Sequence, residues 1–388
     1  MFYPKWLRQA GALLLGGMLA FSQLPPAHAA GDDWQTIYKG VLRSTLNDET
    51  VFPADGQGAL AVLADLNLDG VPELFLGRPT EGSRSLRQYT ISGNAGAELQ
   101  PATAQDQVDL AIQDLKLYYN STTGQTLLTA ESHGVEEGAQ NSFAIYEYAL
   151  ADGQFTGRTI FSYTDQISQY GGVPRVETTY RCIVNGSLTT VTKATYENAL
   201  AQYYDGYELV EEYEATSALL EGSRREAYNA EEVDALLKSY TPCPVLALPS
   251  QSPVIVDGRQ MDLAVYNIGG NTYFKLRDLA EALNGTGKQY NVGWDNESRQ
   301  VAIESGQPYQ PVAGDPTAPQ STVPSLGKQP SDAYVSFDGR KVEAEKYNIN
   351  GNNYFKLRDL AQLLDFQVEW QQSSRSILID TTKTYSPA

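Results

Sequence analysis

The sequence predicts an α+β protein, with an N-terminal antiparallel-sheet domain carrying helices and then two small ββαββ repeat modules. Three observations carry that reading. One stretch near the C-terminus is written twice, short apolar runs between residues 115 and 163 are separated by turn dipeptides, and further segments repeat apolar residues at helical spacing. The 388 residues suit roughly two to four domains. With 41% hydrophobic and 19% charged residues, the chain has enough apolar material for packed cores and too little charge for wholesale disorder.

Residues 1–29 read as a signal peptide. Lys5 and Arg8 charge the start, an apolar run follows from Ala10 to Phe21, and Ala27-His28-Ala29 supplies a small-x-small cleavage pattern. That run is about a dozen residues long, short of the roughly 20 that a spanning helix needs. No later segment is long and apolar enough to span, so the mature chain is expected to have no transmembrane segment and to be secreted and cell-envelope associated.

Residues 31–240 read as one α+β domain. Trp34, Ile37, Tyr38, Val41 and Leu42 form a helical stripe. An apolar run from Leu60 to Ala64 and another at Leu74-Phe75-Leu76 flank the acidic loop Asp65-Leu66-Asn67-Leu68-Asp69-Gly70-Val71-Pro72-Glu73. Oxygen donors at Asp65, Asn67, Asp69 and Glu73, a backbone carbonyl at Val71 and a sharp turn at Gly70 match the hard oxygen set that Ca²⁺ prefers. Ca²⁺ is therefore the expected cofactor. Leu76 stands where an EF-hand has a bidentate Glu, and strands flank the loop, so the expected form is a short calcium hairpin of an extracellular β protein. The same residues also fit an Asx-rich turn in which Asp65 and Asn67 bond their own backbone and Gly70 supplies the turn. An antiparallel meander should follow from Leu115 to Tyr163, then helices over 192–204 and 229–238, the last opened by Asn229 as N-cap with Glu232 three residues on.

Two segments read as linkers. Residues 241–253 and 305–333 are rich in Pro, with Gly, Ser, Thr and Gln in the second, a composition that favours extended chain. They set off the repeats at 254–304 and 334–381. Over 254–280 against 335–361, 17 of 27 positions are identical, which is internal duplication. In each copy Gly269-Gly270 or Asn350-Gly351 should turn a two-residue hairpin. Leu276, Leu279, Ala280 and Leu283, or Leu357, Leu360, Ala361 and Leu364, should then form one helix face. Val292-Gly293-Trp294 with Val301-Ala302-Ile303, and Val368-Glu369-Trp370 with Ile377-Leu378-Ile379, supply the closing strands.

The Asp-Gly turn, the Tyr-Asn-Ile hairpin, the twice-written Leu-Arg-Asp-Leu-Ala and the later Val-x-Trp resemble the copper amine oxidase N-terminal-like domain, a module often found in tandem in exported proteins of Gram-positive bacteria. Lys275 and Lys356 stand where many members carry Pro. The resemblance implies an appended module and not the copper and quinone chemistry of the oxidases, so neither copper nor oxidase activity is expected. The region before it resembles uncharacterised exported domains of Firmicutes that open with a helix and an acidic hairpin. Within the repeats, Tyr273 with Arg277 and Tyr354 with Arg358 are the candidate ligand contacts, placed twice for avidity toward a repetitive polymer. The blander reading of each Arg-Asp pair is structural, with Asp favouring the helix start and Arg packing over a strand.

Composition narrows function further. With 28 basic against 47 acidic residues and a formal charge of −19, binding to nucleic acid is excluded as an expectation. Once His28 leaves with the signal, His133 is the remaining histidine, which excludes sites needing several imidazoles. Cys182 and Cys243 could pair across about 60 residues, worth on the order of 4 kcal/mol, or stay as thiols. No nucleophile elbow, zinc motif or phosphate loop is present in the sequence. The expected protein is non-catalytic, with tandem modules that bind or space it at a cell-wall polymer or envelope protein. The alternative is a secreted glycan or cell-wall hydrolase, with 31–240 catalytic and the repeats as targeting units; paired carboxylates leave no local signature to test it.

Overall fold

A computed structural model describes residues 34–48, 58–65, 67–77, 87–91, 97–101, 114–134, 139–151, 154–170, 173–214, 216–220, 228–240, 244–295, 298, 300–311, 321–328 and 334–387. Residues 1–29, read above as a signal peptide, and Cys243 lie outside them. The described residues are mostly β-sheet, with five helices and a small closed barrel among several sheets. They divide into two compact units, one of residues 33–67 and 72–241 and the other of residues 242–388 with Leu68–Val71.

In the first unit, α1 (Trp34–Leu46), β1 (Ala59–Ala64), β2 (Glu73–Gly77), β3 (Arg87–Ile91) and β4 (Ala97–Pro101) come first. Then come β5 (Asp114–Asn120), β6 (Gln125–Gly134), β7 (Ala139–Ala151), β8 (Gln154–Tyr170), β9 (Val173–Val184) and β10 (Ser187–Val191). The unit closes with α2 (Lys193–Tyr203), β11 (Glu208–Glu214), β12 (Thr216–Leu220) and α3 (Ala230–Ser239).

One sheet has the order β12-β1-β2-β3-β4. The stripe of α1 and that of α3 bury Tyr38, Leu42, Val233, Leu236 and Leu237 against Ala61, Leu63, Leu74 and Leu76 of β1 and β2. Val62 and Phe75 are buried too, at 0% and 1% exposure, which explains why these strands are continuously apolar instead of alternating. Asn229 caps α3 as expected, its Oδ1 accepting the Glu231 N–H at 3.0 Å and its amide donating to Glu232 Oε1 at 3.0 Å. The other sheet is the expected meander, in the order β10-β9-β8-β7-β6-β5-β11. Tyr196 of α2 packs on it against Phe161, Tyr180 and Cys182. Cys182 is buried and carries a free thiol whose pKa burial raises. His133 is an exposed strand residue near the end of β6, paired across to Phe143.

The second unit begins with β13 (Val245–Pro249), β14 (Val254–Val256), β15 (Arg259–Met261), β16 (Val265–Ile268), β17 (Asn271–Lys275), α4 (Leu276–Ala282), β18 (Tyr290–Asp295) and β19 (Gln300–Ser305). The second copy follows as β20 (Ser325–Lys328), β21 (Tyr334–Phe337), β22 (Arg340–Val342), β23 (Lys346–Ile349), β24 (Asn352–Lys356), α5 (Leu357–Leu364), β25 (Gln367–Gln371) and β26 (Ser376–Asp380).

Each copy therefore holds the expected hairpin, helix and closing pair, preceded by a further hairpin at the Asp-Gly turn. The φ angles of Gly269 and Gly270, +54° and +75°, and of Asn350 and Gly351, +49° and +81°, are those the two-residue turn demands.

The copies are interlaced, which the sequence reading missed. β14 of the first copy pairs in parallel with β26 of the second, Val254 beside Ile377 and Val256 beside Ile379. β19 of the first copy pairs in parallel with β21 of the second in the same manner. Asp257 of the first Asp-Gly turn accepts the Thr381 N–H at 2.8 Å and its hydroxyl at 2.6 Å. Its repeat equivalent Asp338 accepts the Ser305 N–H at 2.9 Å and its hydroxyl at 2.7 Å.

A six-stranded barrel, β13-β16-β17-β24-β23-β20, closes with strands of both copies. Two of its strands, β13 and β20, come from the segments expected to be plain linkers, so those segments are part of the folded unit. Gly327 in β20 is required by the close approach there, since a Cβ would lie 3.1 Å from Val245 and 3.3 Å from Ile349 and Tyr347.

Candidate functional site

The acidic loop joins β1 to β2, and its two ends are well buried. Asp65 is 1% exposed and Glu73 2%, with Glu73 paired across the strands to Ala64. Tyr38 of α1 fixes the exit of the loop, its hydroxyl donating to the Pro72 carbonyl at 2.6 Å. Asp69 Oδ1 accepts the Val71 N–H at 2.8 Å, an Asx-turn bond at Asp69 and not at the Asp65 and Asn67 that the alternative reading of this loop named. Asp65, Asn67 and Glu73 belong to the first unit, and Asp69 and Val71 to the second. Among the described residues, no three Asp, Glu, His or Cys side chains form a group able to hold a metal ion.

In the second unit, the barrel brings together side chains from both copies. Tyr266 meets Tyr354 edge-on at 5.0 Å, and Tyr273 meets Tyr347 at 5.5 Å, so each ring pair joins one copy to the other. Tyr273 is 0% exposed and Tyr354 3%, which corrects the expectation that their rings face a ligand. Alternation along β17 and β24 turns them into the barrel, where they pack with Val245, Ile268 and Ile349. Arg277 and Arg358 are half-buried at the second position of α4 and α5.

The polar groups beside these tyrosines were not legible as a set. Glu345 accepts a short hydrogen bond from the Tyr273 hydroxyl and one from Lys356 Nζ at 3.0 Å. Its own N–H donates to Asp359 Oδ2 at 2.9 Å. Burial, reinforced by the adjacent Glu345 carboxylate, pushes the Tyr273 phenol far above its ordinary pKa, so it remains a donor. Burial likewise raises the pKa of Asp359.

In the first copy, Ala264 stands where the second has Glu345, and the equivalent Lys275 lies 3.5 Å from Asp278 in a pair whose side chains are 4% and 8% exposed. The signal available in the sequence was the Ala264/Glu345 mismatch, one of ten between 254–280 and 335–361. Chemically, the arrangement holds charges in place and bonds the two copies together.

No protein-family model matches the chain, and comparison with curated proteins and with solved structures returns no significant similarity.

Proposed function

We propose that this is an exported, non-catalytic protein of the bacterial cell envelope, whose interlaced C-terminal unit binds or spaces it at the wall. The observation that carries the proposal is the internal use of that unit's acid–base groups. Glu345 is held by Tyr273 of the other copy and by Lys356, and Lys275 by Asp278 at the start of its own helix, so these groups serve as internal fasteners. The signal-like first 29 residues support export, and the twice-written Leu-Arg-Asp-Leu-Ala supports kinship with copper amine oxidase N-terminal-like modules. The mature chain should co-sediment with purified peptidoglycan or with stripped envelopes and release no reducing sugar from either. Failure to associate with both would overturn the reading, and sugar release lost on substitution of acidic residues in 33–241 would replace it with a hydrolase.

The proposal includes Ca²⁺ at the β1–β2 loop. The support is the spacing of oxygen donors at Asp65, Asn67, Asp69 and Glu73 around the turn at Gly70, a set of hard oxygens of the kind Ca²⁺ prefers. Extracellular Ca²⁺ near the millimolar range fills even weak sites. Millimolar Ca²⁺ should therefore raise the melting temperature, and Asp69→Ala should abolish that rise, so that the variant melts alike with Ca²⁺ and with chelator. Equal melts of the unsubstituted chain with Ca²⁺ and with chelator would discard the ion.

A further inference from the structure

Two tryptophans stand out in the second unit. Among its described residues, the large hydrophobic side chains exposed to solvent are Trp294 at 43% and Trp370 at 40%. They are repeat equivalents, lying on β18 and β25, and each of those is the edge strand of a four-stranded sheet.

Their retention in both copies needs an explanation, because the surrounding sequence has diverged. Between 290–305 and 366–381, five of sixteen positions are identical: Val292/Val368, Trp294/Trp370, Ser298/Ser374, Arg299/Arg375 and Ile303/Ile379. The valines and isoleucines belong to the apolar core or pack against it. The serines fasten the turn after each tryptophan, Ser298 Oγ donating to Asp295 Oδ2 at 2.7 Å and Ser374 Oγ to Gln371 Oε1 at 2.6 Å. A tryptophan serving the core alone would gain by full burial, yet each leaves about two-fifths of the largest side chain in water.

We propose that Trp294 and Trp370 are a duplicated stacking platform for a neutral glycan chain. The proposal rests on the envelope-binding reading and names the ligand class and the site. A flat indole face matches the C–H face of a pyranose ring, and the ring's hydroxyls need nearby amides and carboxylates. Gln372, two residues beyond Trp370, lies on the ring's side of the strand and supplies such an amide. The Trp370 indole N–H donates to Gln372 Oε1 at 2.8 Å, which fixes the ring plane before any ligand arrives. A formal charge of −19 disfavours a polyanion and favours an uncharged polymer. One ring stacked on one sugar is a weak contact, whereas two platforms on one rigid body hold a repetitive chain by avidity.

The test uses the mature full-length protein with chitin, cellulose and peptidoglycan stripped of anionic polymers, together with soluble oligosaccharides of the first two. At least one of these polymers should pellet the protein, and the matching oligosaccharide should quench and shift its tryptophan emission. Trp294→Ala or Trp370→Ala should weaken pelleting by about tenfold, the double variant should abolish it, and Trp→Tyr at both positions should keep most of it with an unchanged melt. If the folded double variant pellets like the unsubstituted protein, the platform is wrong while envelope binding stands. If the protein binds envelopes but none of these glycans, and a strand-forming peptide competes with that binding, the edge strands take a polypeptide and the glycan assignment fails. A protein that binds neither envelopes nor glycans would overturn the envelope reading itself.

Discussion

A chain that stops after Pro311 should lose the fold of its first repeat as well as its second. Removing residues 312–388 takes β26 from β14, β21 from β19, β24 from β17 and β20 from β13, leaving four edges that were paired in the intact unit. Asp257 loses the hydroxyl and N–H of Thr381 at the same time. The core is cut as well. Leu276, Leu279 and Leu283 of α4 share one cluster with Phe355, Leu360, Leu364, Phe366, Ile377 and Ile379 of the second copy. Exposing a buried aliphatic or aromatic side chain costs about 1.5–3 kcal/mol, so losing several of these contacts exceeds the roughly 5–15 kcal/mol that holds an ordinary domain. Hydrogen exchange resolved by segment is the measurement. Protection should vanish over 254–305 in the truncated chain and persist in β5 to β9 of the first unit. Retained protection over 254–305 would show that each copy folds alone.

The elements of each copy were legible in the sequence, and their partners were not. The hairpin turns follow from residues that tolerate positive φ, and the helices from an apolar spacing that only a helix satisfies. Nothing local distinguishes a strand that pairs within its own copy from one that pairs with the other, because Val254-Ile255-Val256 presents the same apolar residues to either neighbour. Duplication made the ambiguity worse, since identical edges fit both places. The linker reading failed for a related reason. Proline and glycine mark irregular chain on average, yet Pro249 ends β13, and Gly327 lies inside β20, where its missing side chain admits Val245, Ile349 and Tyr347.

Site residues divided along similar lines. The acidic hairpin was legible because its spacing is local, and the structure puts Asp65 and Glu73 at its two buried ends. Tyr273 and Tyr354 were read as ligand contacts because an aromatic next to an Arg-Asp pair gives no hint of which way a barrel strand faces. That direction depends on which strands flank it, and although β16 pairs with β17 within the copy, β24 flanks β17 only after the copies have interlaced.

The same interlacing yields the second large effect. Asp278→Ala should destabilise the second unit by about 3–5 kcal/mol, because it removes the carboxylate 3.5 Å from Lys275 Nζ in a pair whose side chains are 4% and 8% exposed. The matching change in the other copy, Asp359→Ala, should cost only about 1–2 kcal/mol. There Lys356 keeps Glu345 as partner at 3.0 Å, and the loss is one hydrogen bond from the Glu345 N–H. Two identical Lys-Leu-Arg-Asp segments thus respond differently because the residue facing them is Ala264 in one copy and Glu345 in the other. The cause can be tested by supplying the missing acid. Ala264→Glu in the Asp278→Ala background should recover part of the loss by giving Lys275 the kind of partner that Lys356 has. Urea unfolding followed at the second unit by hydrogen exchange reads all three variants. Equal losses for Asp278→Ala and Asp359→Ala, or no recovery from Ala264→Glu, would mean that the broken symmetry at Ala264 does not govern how the buried lysine is held.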